Sequence, residues 1–183
     1  PFSKFWFNPK IINAEYLNVE GPLIIACNHK HKLDPAASVL STNRVIHYMV
    51  KDKYYEKPLI GNFFKWMECI DVQTKERSVS AITNAMNVLK DGGAIGIFPE
   101  GTRNKTDNKL LPFKKGAVTM AKETGATIVP CAVSGSYKFR NGKLMFRYGK
   151  PFKVSKEEDL NEANQKLKDE IEKLLNENLK ESL

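Results

Sequence analysis

The feature that most constrains the fold is a regular alternation of short apolar runs with amphipathic stretches. Apolar runs of four to seven residues lie at 23–27, 45–50, 69–72, 94–98 and 127–133, and such runs are typical of strands buried on both faces. Residues 78–90 and 114–124 space their apolar side chains as helices do, and glycine follows each stretch. This alternation predicts an α/β fold whose central sheet is covered by helices on both faces.

Two patterns near the end of the chain extend this prediction. Residues 137–140 and 143–148 flank Asn141-Gly142, a pair typical of a tight hairpin, so we expect a mixed, mostly parallel sheet. The segment 155–183 opens with a capping-box pattern at Ser155 and Glu158, which predicts a C-terminal amphipathic helix that packs on the body or contacts a second copy. Its apolar stripe comprises Leu160, Ala163, Leu167, Ile171, Leu174 and Leu179.

Length and charge bound the possible functions. A chain of 183 residues suits one domain with a substantial core, so we expect a single domain over 1–183. Residues 155–183 hold 5 basic and 9 acidic residues, which leaves 24 basic and 12 acidic residues in the first 154. A body this basic favours an anionic partner: nucleic acid, an anionic bilayer or a phosphorylated small molecule. Nucleic acid is disfavoured, because the cations are scattered and no recognised binding signature occurs.

The sequence predicts no membrane span, since no apolar run approaches the roughly 18 residues that a span needs. Aromatic residues and lysines are interleaved at 2–10, within a possible interface segment 1–20, and again at 63–67. Such clusters are typical of a bilayer interface or of core packing. The three cysteines, Cys27, Cys69 and Cys131, lie in or beside apolar runs, so we expect reduced core residues in a cytosolic-side protein.

The first candidate for chemistry is the segment NHKHKLDP at residues 28–35, directly after the first buried run. The carboxyl ends of strands carry the sites of α/β sheets. Asp34 followed by Pro35 is typical of a helix start, and a turn before that helix would bring the Asp34 carboxylate against one ring nitrogen of His29. Such a pair is a general base, in which the carboxylate fixes the tautomer and stabilises the imidazolium.

Other interpretations of this segment stay open. Asp34 can be a simple helix cap in a solvated loop. His29, His31 and Asp34 can hold a metal ion, although three histidines in the whole chain are few for a catalytic metal site. Cys27 can be a nucleophile two residues from His29.

The second candidate is the segment FPEGTR at residues 98–103, which follows another buried run. Its proline and glycine predict a turn at the sheet edge. A guanidinium in such a turn suits a phosphate, which it binds bidentately, and Glu100 can accept hydrogen bonds from a polyol. A charged surface turn is the alternative. The turn presents Glu100, Thr102, Arg103 and Lys105.

Taken in order and spacing, these segments and Ile128-Val129-Pro130 resemble the glycerolipid acyltransferase family, most closely its lysophosphatidic acid acyltransferases, over about residues 23–136. The resemblance implies a glycerol-3-phosphate acyltransferase-like fold and an enzyme, a 1-acylglycerol-3-phosphate O-acyltransferase. This enzyme moves a fatty acyl group from acyl-CoA or acyl-carrier protein to the sn-2 hydroxyl of 1-acylglycerol-3-phosphate, giving phosphatidic acid. It needs no metal, no cofactor and no covalent intermediate.

The same resemblance implies roles for single residues. His29 is the base and Asp34 its orienting partner. The glycerol phosphate is bound by Glu100, Gly101, Thr102 and Arg103, with Lys105 beside them.

The resemblance also implies a peripheral enzyme at the cytoplasmic side of the cell membrane, with a lysophospholipid acceptor, the acyl donor and an anionic membrane surface as partners. One position departs from the family: its second block ends in an arginine, whereas residues 69–74 lack one and Lys75 and Arg77 follow. Acceptors with other head groups therefore stay open. So do a non-catalytic protein that binds anionic lipid and a hydrolase with the same base, since transfer and hydrolysis differ only in the oxygen that is activated.

Overall fold

The structure is a computed structural model that describes residues 8–35, 41–51, 62, 69–72, 79–138 and 143–182. Several features named above lie outside these ranges: the aromatic residues of 2–7, the second aromatic cluster at 63–67, the cations Lys75 and Arg77, and the pair Asn141-Gly142. Among the described residues, no helix combines the length and the apolar character that crossing a membrane requires.

Strands of the described residues form one seven-stranded sheet in the order β1-β7-β6-β2-β5-β3-β4. The strands from β6 to β4 run parallel to one another, whereas β7 runs antiparallel to β6, and β1 parallel to β7. The predicted mixed, mostly parallel sheet is confirmed. The strands are β1 (Lys10–Ile12), β2 (Leu23–Cys27), β3 (Ile46–Lys51), β4 (Ile70–Val72), β5 (Ala94–Ile97), β6 (Thr127–Ser134) and β7 (Met145–Tyr148).

Three α-helices of the described residues lie within the predicted helical segments: α1 (Val79–Lys90), α2 (Gly116–Thr124) and α3 (Leu160–Ser182). The 3-10 helix Ala14–Leu17 was not predicted. Gly125 ends α2 with a positive φ of 69°, the left-handed conformation in which glycine is favoured.

Residues 10–17 belong to the folded body, although they lie in the segment 1–20 that was predicted as a possible membrane interface. β1 pairs with β7, and Leu17 is only 1% exposed. β1 was not predicted, because three residues are too few to show a period.

The two faces of the sheet carry separate apolar cores. Ile24 and Ala26 of β2 face the core that α1, α2 and α3 cover. Leu23, Ile25 and Cys27 face the other core. Because successive side chains of a strand point to opposite faces, a strand buried on both faces must be apolar throughout, and this is why the run at 23–27 was predicted with its correct bounds.

The predicted first arm of the hairpin, 137–140, is wrong at its described residues, Tyr137 and Lys138, which belong to no strand. β7 pairs with the end of β6, where Ser134 lies opposite Met145, and Tyr137 lies outside any strand. An Asn-Gly pair indicates a turn, but the register of a strand pair is set by the apolar residues that face the core. The connection between the two strands is therefore longer than a tight turn. Tyr137 lies in this connection and contacts another part of the molecule, described below.

The C-terminal helix begins at Leu160 rather than at the capping box. Ser155 and Glu158 bond each other's backbone N–H groups at 3.2 Å, but they close a turn before the helix. Asp159 caps α3 instead, since its carboxylate accepts the N–H groups of the second and third helical residues, at 2.7 and 3.1 Å. Leu179 was predicted in the buried stripe and is 48% exposed; the buried stripe is Ala163, Leu167, Ile171, Leu174, Leu175 and Asn178.

Gly96 in β5 is a position that a side chain cannot occupy. Its partner across the strand pair is Tyr48 in β3. A Cβ at Gly96 would lie 2.1 Å from Cζ of Tyr48, and the tyrosine is 2% exposed and cannot move into solvent. The ring therefore fills the space above the glycine.

We expect Gly96→Ala to lower the free energy of unfolding by about 1–3 kcal/mol, because overpacking displaces the Tyr48 ring or the strand. Gly116→Ala is the matched control: its Cβ would meet only Cδ1 of Ile97 at 3.8 Å, and alanine favours the helix. Urea denaturation measures both variants. Equal stability of the two variants would contradict the proposed packing of Tyr48.

Candidate active site

The site lies at the carboxyl ends of β5, β2 and β6, which are adjacent and parallel. Asn28 and His29 directly follow β2, and residues 98–104 directly follow β5. Adjacent parallel strands end at one edge of the sheet, so His29 and Glu100 meet although they are 71 positions apart.

Asn28 extends the pairing between β2 and β6 beyond the strand. Its side-chain amide donates to the carbonyl of Val133 at 3.0 Å, and its Oδ1 accepts the N–H of Val133 at 2.7 Å. The residue is 1% exposed, where an unpaired amide would be costly. Asn28 thus determines where the chain leaves the sheet, one residue before His29.

Both backbone polar groups of His29 are bound by the segment that follows β5. Its N–H donates to Oε1 of Glu100 at 2.8 Å, and its carbonyl accepts the N–H of Asn104 at 2.7 Å. The other oxygen of Glu100 accepts the N–H of Leu111 at 2.9 Å. Glu100 is 4% exposed, so its carboxylate joins two loops in the interior.

The chain reverses between His29 and Asp34 and brings their side chains into contact. Oδ2 of Asp34 lies 2.9 Å from Nδ1 of His29 and accepts the N–H groups of Lys30 and His31 at 2.9 and 2.8 Å. Oδ1 accepts the hydroxyl of Tyr137 at 2.6 Å. Asp34 is 1% exposed, and these four donors satisfy a carboxylate that water hardly reaches.

The imidazole of His29 stacks on Phe98, with ring centroids 4.0 Å apart and planes 17° from parallel. Because Nδ1 faces a carboxylate, the hydrogen-bond pattern assigns the proton of the neutral ring to Nδ1. Nε2 has no hydrogen bond to any residue that the structure describes, and the side chain is 16% exposed. Nε2 can therefore accept a proton from a bound hydroxyl.

The other predicted binding residues lie at the rim of this site. Gly101, Thr102 and Lys105 are exposed, and Arg103 is half-buried. Within the described ranges, the guanidinium makes no hydrogen bond and no ion pair. Since the neighbouring Asn104 contacts His29, Arg103 is available to an anion close to His29. Glu100 lies inside instead, with both oxygens bound to backbone N–H groups.

The geometry gives little support to two other interpretations of this segment, a metal site at His29, His31 and Asp34 and a nucleophilic Cys27. Nδ1 of His31 accepts the N–H of Leu33 at 3.3 Å, and its ring stacks on Tyr137. No three side chains of His, Cys, Asp or Glu come together as a metal site in the part of the chain that the structure describes. Burial raises the pKa of the Cys27 thiol, which disfavours the thiolate that a nucleophile needs.

Two residues of the site were not predicted, Tyr137 and Asn104. Asn104 is 3% exposed and closes its own loop, since Oδ1 accepts the N–H of Thr106 at 3.0 Å and Nδ2 donates to the carbonyl of Asn108 at 2.9 Å. An asparagine in a polar loop gives no signal of this. For Tyr137 a signal was present. It lies shortly after the apolar run 127–133, and the strand predicted there could have been expected to end at the same sheet edge as the strands before His29 and Glu100.

Comparison with known protein families and curated sequences gives a consistent result. The chain matches the family model described as Acyltransferase over residues 8–134. It is 35% identical over 147 residues to the 1-acyl-sn-glycerol-3-phosphate acyltransferase of Bacillus subtilis, covering 78% of this chain and 72% of that protein. It is 29% identical over 191 residues to the chloroplastic enzyme LPAT1 of Arabidopsis thaliana, covering 93% of this chain and 53% of that protein. The chain thus spans about half the length of the plant relative.

The fold is also similar to that of a solved structure. The crystal structure of the 1-acyl-sn-glycerophosphate (LPA) acyltransferase from Thermotoga maritima matches with a TM-score of 0.75 and 22% sequence identity, covering 96% of this chain and 77% of that one. At this identity the likeness shows a common fold.

We expect Glu100→Gln to lower the free energy of unfolding by about 1–3 kcal/mol, because an amide can accept only one of the two backbone hydrogen bonds and leaves the other N–H buried without a partner. The amide protons of His29 and Leu111, which the carboxylate now binds, should exchange faster with solvent. Urea denaturation and native-state hydrogen exchange measure these effects.

Glu123→Gln is the control for this substitution, since Glu123 is exposed near the end of α2. It should change neither stability nor the exchange of the two amides. Unaltered exchange at both His29 and Leu111 in Glu100→Gln would show that Glu100 does not bind these segments together in solution.

Proposed function

The chain belongs to the acyltransferase family, and on this basis we propose that it transfers a fatty acyl group to the sn-2 hydroxyl of 1-acyl-sn-glycerol-3-phosphate. The product is phosphatidic acid, and the donor is acyl-CoA or acyl-carrier protein. The names of the relatives from Bacillus subtilis and Arabidopsis thaliana support this acceptor. The observation that carries the proposed chemistry is the 2.9 Å contact between Nδ1 of His29 and Oδ2 of Asp34.

In this reaction His29 is the general base. Nε2 takes the proton of the acceptor hydroxyl while the hydroxyl oxygen attacks the carbonyl carbon of the thioester. The charge that develops on the imidazole is stabilised by Asp34, which also fixes the ring. The carbon–sulfur bond then breaks, and the departing thiolate takes the proton back from the imidazolium. The base is restored, and no bond to the protein forms.

The phosphate of the acceptor is assigned to Arg103, with Lys105 beside it. A guanidinium binds phosphate oxygens bidentately, and Arg103 has no competing partner among the described residues. Lys114 adds a further cation, since its side chain lies along Gly101: a Cβ at that glycine would meet Nζ at 2.9 Å. Glu100 serves this site by placing the backbone of His29 rather than by contacting the glycerol.

We also propose that the protein works at the cytoplasmic face of the cell membrane as a peripheral enzyme. Its acceptor is an anionic lipid, and each lysine near an anionic bilayer adds about 1 kcal/mol of attraction. Exposed lysines are frequent in the segments that build the site: Lys30, Lys32, Lys105, Lys109, Lys114 and Lys115.

We expect His29→Ala to lower the rate of acyl transfer from acyl-CoA to 1-acyl-sn-glycerol-3-phosphate by ~10²–10⁴-fold, the usual contribution of a general base. Binding to vesicles that contain phosphatidylglycerol should persist, since no lysine is lost. The control is His47→Gln, a histidine of β3 outside the site, which should keep the wild-type rate. Equal rates of His29→Ala and wild type would exclude His29 as the base, and a wild type that only hydrolyses acyl-CoA would exclude the transferase.

For Arg103→Ala we expect a ~10–100-fold rise in KM for 1-acyl-sn-glycerol-3-phosphate, because a hydrogen-bonded charge contributes about 1.5–3 kcal/mol. Arg103→Lys should give a smaller rise, since the bidentate contact is lost but the charge is kept.

The acceptor 1-acylglycerol, which has no phosphate, separates this role from a structural one. With it, Arg103→Ala and wild type should react alike. Equal losses on both acceptors would remove Arg103 from the phosphate site, and wild-type preference for a lysophospholipid with another head group would change the proposed acceptor. Lys90→Ala, at the exposed end of α1, is the charge-matched control.

A further inference from the structure

Tyr137 is the residue of this site that the mechanism above does not use. It lies three positions beyond the end of β6, and its hydroxyl reaches across to Oδ1 of Asp34 at 2.6 Å. Among the described residues it is the donor to Oδ1, whereas Oδ2 accepts from the ring of His29 and from two backbone N–H groups.

A donor on Oδ1 has a physical consequence for His29. The three hydrogen bonds to Oδ2 fix the position of that oxygen. They do not fix the rotation of the carboxylate group about it, which depends on where the second oxygen, Oδ1, is held. A short hydrogen bond from a hydroxyl to a carboxylate is charge-assisted and strong. It locates Oδ1, so the lone pairs of Oδ2 keep a constant direction towards Nδ1 of His29.

The hydroxyl is suited to remain a donor. Burial, together with the negative charge of Asp34 and the hydrogen bond to it, raises the pKa of Tyr137 well above the usual value of tyrosine. The raised value keeps the proton on the phenol at neutral and at alkaline pH, because a group with a raised pKa loses its proton only above that value.

The ring of Tyr137 is itself supported by His31. The two rings stack with centroids 4.5 Å apart and planes 22° from parallel. The His31 ring is oriented in turn, since its Nδ1 accepts the N–H of Leu33 at 3.3 Å. The second histidine of the segment thus has a use that needs no metal: it packs on the tyrosine that binds Asp34.

We propose that Tyr137 is a positioning residue for His29 that acts through the Asp34 carboxylate, with His31 as the support of its ring. The proposal rests on the function proposed above, because it presumes that His29 is the base.

The first test compares Tyr137→Phe with wild type in acyl transfer to 1-acyl-sn-glycerol-3-phosphate. The substitution removes one oxygen and keeps the ring on His31. We expect kcat to fall ~10–100-fold, by analogy with the loss seen when a hydrogen-bond partner that orients a metal-bound histidine is removed, while both KM values change less than about twofold. The acidic limb of the pH–rate profile should move to higher pH, because a carboxylate that loses a donor attracts the imidazolium more strongly.

The control is Tyr16→Phe. Tyr16 is a half-buried tyrosine that packs against the core on the far side of β2 from α1, α2 and α3, so the same oxygen is lost outside the site. It should leave kcat and the pH profile as in wild type. His31→Ala should lower kcat in the same way as Tyr137→Phe, and His31→Phe, which restores an aromatic ring, should recover most of the loss.

A second measurement does not depend on activity. In protein labelled with ¹⁵N-histidine, NMR reports the tautomer and the titration of His29, whose signals are assigned by their loss in His29→Gln. We expect the Nδ1–H resonance and the titration midpoint of His29 to shift in Tyr137→Phe and not in Tyr16→Phe.

The two measurements separate the possible failures. If wild type transfers no acyl group, the proposed function fails, and NMR still decides whether Tyr137 orients His29. If wild type is active but Tyr137→Phe matches it in kcat, pH profile and NMR signals, the positioning role is overturned. A loss of stability with an unchanged pH profile and unchanged His29 signals would likewise overturn it, since it would show a purely structural role.

Discussion

Two buried carboxylates, Asp34 and Glu100, hold His29: Asp34 binds its ring and Glu100 binds its backbone N–H. They are 1% and 4% exposed, and burying a carboxylate is unfavourable unless hydrogen bonds replace the water it loses. Asp34 obtains these bonds from the ring of His29, two N–H groups and Tyr137, and Glu100 obtains them from the N–H groups of His29 and Leu111. Asp34 closes the loop that carries His29 and binds it to Tyr137, and Glu100 joins that loop to the segments at 100 and 111. The position of His29 therefore depends on its own loop and on two others.

Much of this arrangement could be predicted from the chain itself, because the apolar runs mark strands that are buried on both faces. β2 has its predicted bounds and β5 ends one residue earlier than predicted. Once the strands are known, the rule that parallel strands carry sites at their carboxyl ends brings His29 and residues 98–104 to one edge. Local patterning and sheet geometry thus lead to the same place, and in the structure the two segments are in contact.

What could not be predicted is which partner each polar side chain takes. Glu100 was expected to face the glycerol, as a carboxylate in a turn beside an arginine suggests, yet both its oxygens bind backbone N–H groups in the interior. Asp159 caps α3 in place of Ser155, and Tyr137 was assigned to a hairpin arm. The partners of Glu100 and Tyr137 depend on distances between segments that are remote in sequence, whereas a pattern of residue types reports only local preference and the face that is buried. The cap of α3 is a local choice between Ser155 and Asp159, two residue types that both favour the N-cap position.

The sheet interior also contributes to the surroundings of His29. The absence of a side chain at Gly96 lets the Tyr48 ring lie across β5, and Tyr48 stacks on Phe98 with ring centroids 5.6 Å apart. Phe98 in turn stacks on His29, so one face of the imidazole is covered by a row of aromatic rings that begins in the core. The lone pair of Nε2 lies in the plane of the ring, so this stacking limits solvent contact with the face and leaves the edge open. In the proposed reaction, a base for a lipid hydroxyl must not activate water instead. Because the aromatic row covers a face of the ring and leaves its edge open, the bound acceptor would itself have to fill that edge and displace water from Nε2.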